Sequence, residues 1–332
     1  MERVTGEPSP SKTKPIRPSD GRFLMVWAIL VGGLVAGWAL RDALSSGEWF
    51  GAMMAVYFGP FKIATLIALT RVERREWTWP RLLAYFLWPG MQPRQFLPSY
   101  SPPRSPPLPT WRGCLLNVFA GAVVLWGVPL LFPHGTPLLV RAWTGLVGMA
   151  LLRLFGAFDV LALIFRALGF RVEKAWFNPV AATSLRDFWG RRWNRIMSGL
   201  LRDLLFVPLA RRIGVLGASL IVFVYSGVLH EFVSVLARSN YGGPTVYFLI
   251  QGAAFSCEGT RFGRGLLARS PLVGWCWTAL VVVAPVGLVL PPAFTIDALV
   301  PYLREMRVPG LPPPDDPLMH SEAYSGFGPG LG

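Results

Sequence analysis

The residues whose types and spacing can do chemistry lie in one apolar run, 215–236, which contains Tyr225-Ser226-Gly227-Val228-Leu229-His230-Glu231. A neutral imidazole beside a hydroxyl can take its proton as that hydroxyl attacks, which is general-base chemistry. Ionisable groups are costly inside a bilayer, about 2.5–3.5 kcal/mol each near a helix centre on insertion scales, and those that persist usually have work to do. His230 and Ser226 are four apart and share a helix face. Gly227, between them, leaves room for close approach. Glu231 points about 100° away from its neighbour on a helix, so it anchors an adjoining helix more readily than it forms a dyad. His134 falls in a short loop and His320 near the end of the chain, which leaves His230 as the histidine inside a span. The competing reading is a core histidine hydrogen-bonded to a neighbouring helix. The zinc spacing HExxH is excluded, because Ser234 stands where the second histidine would be.

A second concentration of functional residue types is Trp176–Arg195, WFNPVAATSLRDFWGRRWNR. Ser184 can cap a short helix starting near Leu185, with Asp187 at the third position in a pattern like a capping box. On that helix Trp189 and Trp193 are four apart, as are Asp187 and Arg191, so aromatic and charged faces separate. In 196–213, leucines alternate with Arg202, Asp203, Arg211 and Arg212, as in an amphipathic helix lying in the membrane interface. Taken alone, this stretch also fits a plain aromatic belt with snorkelling cations.

The elements that must position these groups are membrane helices. The 332-residue chain is 53% hydrophobic and 15% charged, with a mean hydropathy of +0.45. Soluble domains carry about 25% charged residues, so this chain has too little polar surface to cover a water-facing body of its size. The apolar residues come in blocks close to the roughly 20 residues that cross a bilayer. They are Phe23–Leu40, Phe50–Thr70, Cys114–Phe132, Leu138–Phe155, Val215–Leu236 and Leu272–Leu290, with Ala157–Leu168 and Thr245–Cys257 as partial, tilted or re-entrant pieces. The expected fold is all-α and polytopic, with about seven or eight spans, since open sheet edges do not survive in lipid. Cys114, Cys257 and Cys276 lack paired spacing, so they read as small core residues with neither disulfide nor metal roles.

The net charge is +14, carried mostly by arginine; lysine occurs only as Lys12, Lys14, Lys62 and Lys174. Basic residues concentrate in the N-terminal arm, in 71–112, in 166–212 and in 261–269, while the connections at 41–49, 133–137 and 238–244 hold few. That alternation places the N-terminus in the cytoplasm, makes Ala157–Leu168 no separate crossing, and explains the charge without nucleic acid. The arginine bias hints at a GC-rich bacterial genome and hence a bacterial inner membrane. Four parts follow: a polar cytoplasmic arm, 1–22, leading into a retained first helix; membrane helices over 23–170 with a proline-rich linker at 98–109; a core over 171–292; and a tail, 293–332, expected to be largely disordered and rich in Pro and Gly from Pro309.

Ala182–Asn194 (ATSLRDFWGRRWN), Ser226–Glu231 (SGVLHE) and Gln251–Gly259 (QGAAFSCEG), in this order and spacing, resemble the wax synthase branch of the membrane-bound O-acyltransferases. The resemblance is strong over about 176–290 and otherwise limited to hydropathy. It implies helices around an intramembrane tunnel and an acyl-CoA co-substrate entering from the cytoplasm, with no further cofactor. It also implies a hydroxyl-bearing lipid or long-chain alcohol as acceptor. It makes His230 the catalytic residue and Asn194 its partner, the latter donating to the developing oxyanion or holding the acyl carbonyl. Arg191 and Arg192, with Arg195, become candidates for the CoA phosphates. Asp187, Ser226 and Glu231 complete the set around the substrates, with Trp189 and Trp193 packing, anchoring at the interface or lining the acyl path. Diacylglycerol, a sterol, a glycan or a secondary metabolite are alternative acceptors. A transporter relaying protons through His230 and Glu231 is the rival class, but it predicts paired broken helices in matching halves, and the sequence shows no such symmetry. A non-catalytic lipid-binding member is a further rival, disfavoured by the intact His230 and Asn194.

Overall fold

The computed structural model describes residues 21–39, 58–101, 109–237 and 240–313. Most of the arm 1–22, the connection 41–49, the middle of the proline-rich linker and the chain from 314 lie outside the described residues. Among the described residues all regular structure is helical. The architecture is that of a polytopic helical membrane protein.

Gly21–Ala39 (α1) covers nearly all of the first expected span, and Phe58–Ile67 (α2) is the described helical part of the second. Among the described residues four helices are long and apolar enough to cross a bilayer: Trp111–Leu131 (α3), Leu138–Ala167 (α4), Arg195–Glu231 and Pro271–Val289. The expected pieces Leu138–Phe155 and Ala157–Leu168 are therefore one continuous helix, α4. A wide-turn stretch at Ala150–Ala157 carries the backbone hydrogen bonds across the join.

The third long segment runs on past residue 231 but changes direction on the way. Gly214 leaves helical geometry at φ 77° and ψ 169°, a region glycine enters without steric penalty. It divides the amphipathic stretch 195–213 (α5) from the apolar stretch 215–237 (α6). The boundary expected between interface helix and span is thus made by one glycine. Gly243–Glu258, the bracing helix, follows and packs along α6.

Lys62, in the apolar α2, is nearly buried. Its ammonium donates to the carbonyls of Tyr85 (2.7 Å), Trp88 (2.6 Å) and Gly90 (3.0 Å) at the end of the helix Trp79–Leu87. A cation closing a helix C-terminus satisfies carbonyls that have no partner within the helix. Residues 293–305, assigned to the tail from the sequence, are helical. Ile296, Leu299, Val300 and Leu303 are buried against Leu125, Leu138 and Ala142. Their apolar residues follow helical spacing, which composition alone passes over.

Candidate active site

The site is built on α6 and the bracing helix. Gly227 makes their close approach possible, because a Cβ there would lie 2.8 Å from the Thr245 Cα. Small residues bring membrane helices together in this way. One turn further along α6, His230 Nδ1 lies 2.7 Å from the Ser226 carbonyl oxygen. A carbonyl only accepts, so Nδ1 carries the proton and Nε2 holds the free lone pair. The Ser226 hydroxyl donates to the Val222 carbonyl at 2.8 Å. His230 and Ser226 thus share a helix face as their spacing predicts, and their contact is made through the serine backbone. Phe248 of the bracing helix packs on the imidazole, with centroids 4.6 Å apart.

His230 is exposed, where its place in a span predicts burial. Phe248 covers one face of the ring and the Ser226 carbonyl holds one nitrogen. Nε2 has no hydrogen bond among the described residues, as a base awaiting a substrate requires.

Glu231 turns to the bracing helix. Its carboxylate accepts from the backbone N–H groups of Gly242 (3.0 Å) and Thr245 (2.9 Å) and from the Thr245 hydroxyl (2.5 Å). It caps a helix N-terminus, where negative charge is favoured, and so anchors a neighbouring helix as its angular offset from His230 predicts.

The motif 176–195 departs from the expected register. Ser184 Oγ accepts from the Asp187 N–H at 3.0 Å, as a cap should. Phe188–Arg192 then forms a wide turn, closed by the Trp193 N–H to the Phe188 carbonyl at 2.8 Å. An i to i+5 turn moves every pairing on by one residue. Asp187 consequently pairs with Arg192 at 2.5 Å and not with Arg191. Trp193 stacks on Phe188 at 5.5 Å and 11°, while Trp189 leaves the stack for the bracing helix. There Trp189 lies 5.7 Å from Phe248 and donates its indole N–H to Gln251 Oε1 at 3.2 Å.

Asn194 sits in the left-handed region at φ 40°, and its side chain accepts from the Met197 N–H at 3.3 Å. It caps α5, and no hydrogen bond joins it to His230 among the described residues. The path between them runs through Ser198, whose N–H donates to the Asn194 carbonyl and whose hydroxyl donates to the Trp189 carbonyl, and on through Trp189 and Phe248. Arg192 also donates to the carbonyls of Phe177 (3.3 Å) and Asn178 (3.1 Å), and Arg195 donates to Glu173 at 3.1 Å. Both guanidiniums are committed within the protein. Arg191 is exposed and has no ion pair among the described residues.

Three groups were missed as site residues. Gln251 is fully buried, Phe248 touches His230, and Glu258 is 4% exposed. The signal was available in part: two polar residues seven apart in an apolar helix share a face. Of the cysteines, Cys114 is buried as expected, but Cys257 is only partly so and Cys276 is exposed.

Residues 173–251 match the membrane bound O-acyl transferase family. The match takes in the wide-turn motif and His230, two of the three motifs that carried the resemblance in the sequence, and ends at Gln251, the first residue of the third. Over 138 residues the chain is 35% identical to "Probable long-chain-alcohol O-fatty-acyltransferase 7" of Arabidopsis thaliana, covering 36% of this chain and 39% of that one. It is 37% identical over 108 residues to "Long-chain-alcohol O-fatty-acyltransferase" of Simmondsia chinensis, covering 29% and 31%. It is 41% identical over 69 residues to "Acyl-CoA--sterol O-acyltransferase 1" of Arabidopsis thaliana, covering 19% and 20%. Each match takes in well under half of the relative's length. No solved structure matches the chain.

Proposed function

We propose that the protein is a membrane-bound O-acyltransferase that moves a fatty acyl group from acyl-CoA to the hydroxyl of a long-chain alcohol. The observation that carries the reading is the contact of His230 Nδ1 with the Ser226 carbonyl oxygen, which leaves Nε2 with no hydrogen bond among the described residues. Nε2 takes the alcohol proton as the alcohol oxygen attacks the thioester carbonyl. The tetrahedral intermediate collapses, the carbon–sulfur bond breaks, and the departing CoA thiolate takes the proton back from the imidazolium. A positioned base of this kind contributes about 10²–10⁴-fold. Holding both substrates in a tunnel among the helices supplies proximity and keeps water from the thioester.

Arg191 offers an exposed guanidinium to a CoA phosphate, with no ion pair among the described residues, while Arg192 and Arg195 are held by carboxylates. Asn194 acts by fixing the start of α5 beside the motif, with the oxyanion role as its second assignment. The N-terminus lies in the cytoplasm, which puts the motif on the side where acyl-CoA is found, and the compositional bias favours a bacterial inner membrane. A sterol acceptor is the second reading, supported by the name of one relative.

The test is ester formation by membranes containing the protein, given labelled palmitoyl-CoA with hexadecanol, a short alcohol, diacylglycerol, a sterol or no acceptor. Hexadecanol ester is the expected product. Ester with the sterol alone would move the assignment to the second reading, and no ester with any acceptor from folded protein would contradict the proposal.

A further inference from the structure

Glu258 is the last residue of the bracing helix and is nearly buried, yet it has no ion pair among the described residues. Its Oε1 accepts from the Leu185 N–H at 2.6 Å and from the Trp277 indole N–H at 3.1 Å, and its Oε2 accepts from the Arg186 N–H at 3.2 Å. With Ser184 taking the Asp187 N–H, the first three N–H groups of the motif helix are all occupied. Two of the three go to this carboxylate, which comes from 72–73 residues further along the chain. A buried carboxylate is costly unless its lone pairs are filled, and here backbone donors at a helix start fill them.

Other residues on the same helix make the same connection at other heights. Phe248 lies on His230 and Trp189, Gln251 accepts from Trp189, and Phe255 lies under the Arg186 guanidinium at 4.7 Å. Residues 248, 251, 255 and 258 follow the three- and four-residue steps of one helix face. At the other end Glu231, next to His230, clamps the helix start through Gly242 and Thr245. The 16-residue helix is thus fastened to the His230 helix by one carboxylate and to the aromatic–basic motif by another, about 22 Å apart at 1.5 Å per residue.

We infer that the bracing helix fixes the distance between His230 and the aromatic–basic motif, and that Glu258 is the positioning residue that sets it. This rests on the transferase reading only in what the positioning serves. Glu258→Gln keeps one acceptor oxygen but turns an amide N–H toward a backbone donor, so the motif end of the helix must shift while His230 and the motif each stay intact. Displacements of about 1 Å can cost on the order of 10²-fold in rate. The expected result, per folded protein, is kcat for hexadecanol esterification about 10–100-fold lower with both KM values within about twofold.

The companion measurement needs no catalysis. Spin labels at Arg191→Cys and Val228→Cys, with Cys114, Cys257 and Cys276 changed to alanine, report the separation of motif and His230 helix with and without Glu258→Gln. A shifted or broadened separation together with the kcat loss supports the inference. An unchanged separation overturns it, and so does an unchanged kcat beside a changed separation. If the wild-type protein makes no ester, the transferase reading fails and the separation alone decides this one. If Glu258→Gln does not fold, Gln251→Met, which removes the Trp189 rung together with the amide's bond to the Val281 carbonyl, decides on the same two readouts.

Discussion

Asp187 and Arg192 are joined at 2.5 Å across a wide helical turn, five residues apart, and this one pairing sets the layout of the motif. It sends Trp189 to the bracing helix, leaves Trp193 on Phe188, and separates the two neighbouring arginines into one that is structural and one that is free.

The arginines should therefore fail differently. Arg192→Ala removes a charged pair and bonds to the Phe177 and Asn178 carbonyls, and bonds to charged groups contribute about 1.5–3 kcal/mol each. A lowered melting temperature in detergent is expected. Arg191→Ala should melt like wild type and raise KM for acyl-CoA, and a matched loss of stability in both variants would contradict the division.

Ser226 contributes its backbone to His230, and its hydroxyl is spent on Val222. Ser226→Ala should keep kcat within a few fold, since one neutral hydrogen bond is worth about 0.5–1.5 kcal/mol. Steady-state rates would reveal a catalytic hydroxyl as a loss of a hundredfold or more.

Glu231 should act on folding. Glu231→Gln sets an amide N–H against the donors of Gly242 and Thr245, at a cost of about 1–3 kcal/mol for a group left unsatisfied. Thermal melts should show that loss, while activity per folded molecule changes much less. The opposite pattern would make Glu231 part of a catalytic dyad.

Glu73 gives the protein an acid-sensitive contact. Burial pushes its carboxyl up, but the Arg94 side chain and the Thr70 backbone and hydroxyl outweigh that and hold it below its ordinary value of 4.5. A depressed carboxylate stabilises the fold above its unfolded value, and that contribution is lost as pH falls through the folded one. Glu73→Gln should therefore weaken the protein at neutral pH and flatten the fall in its melting temperature below pH 4.5. An identical acid profile in the two proteins would remove Glu73 from the pH response.

Much of this architecture was legible in local pattern. Hydropathy located the four described helices long and apolar enough to cross a bilayer, and the polar pair inside an apolar run singled out His230 and Glu231. The 100° offset between those two residues correctly turned Glu231 toward a neighbouring helix. What pattern missed was register and distance. A wide turn shifts pairings by one residue, and the sequence carries no mark distinguishing Asp187 with Arg191 from Asp187 with Arg192. Gln251 and Glu258 were visible as part of a motif, but their partners Trp189 and Leu185 lie 62 and 73 residues away. Only the folded packing brings those together. The helix at 292–305 was missed because its prolines and its place after the last span drew attention from its buried face.

The most direct test of the account is the rate of ester formation by His230→Ala beside wild type, in membranes holding equal amounts of folded protein, with saturating palmitoyl-CoA and hexadecanol. Loss of a positioned base predicts a fall in kcat of about 10²–10⁴-fold with substrate binding retained. Ester formed by the variant at the wild-type rate would remove His230 from the chemistry and contradict the account at its centre.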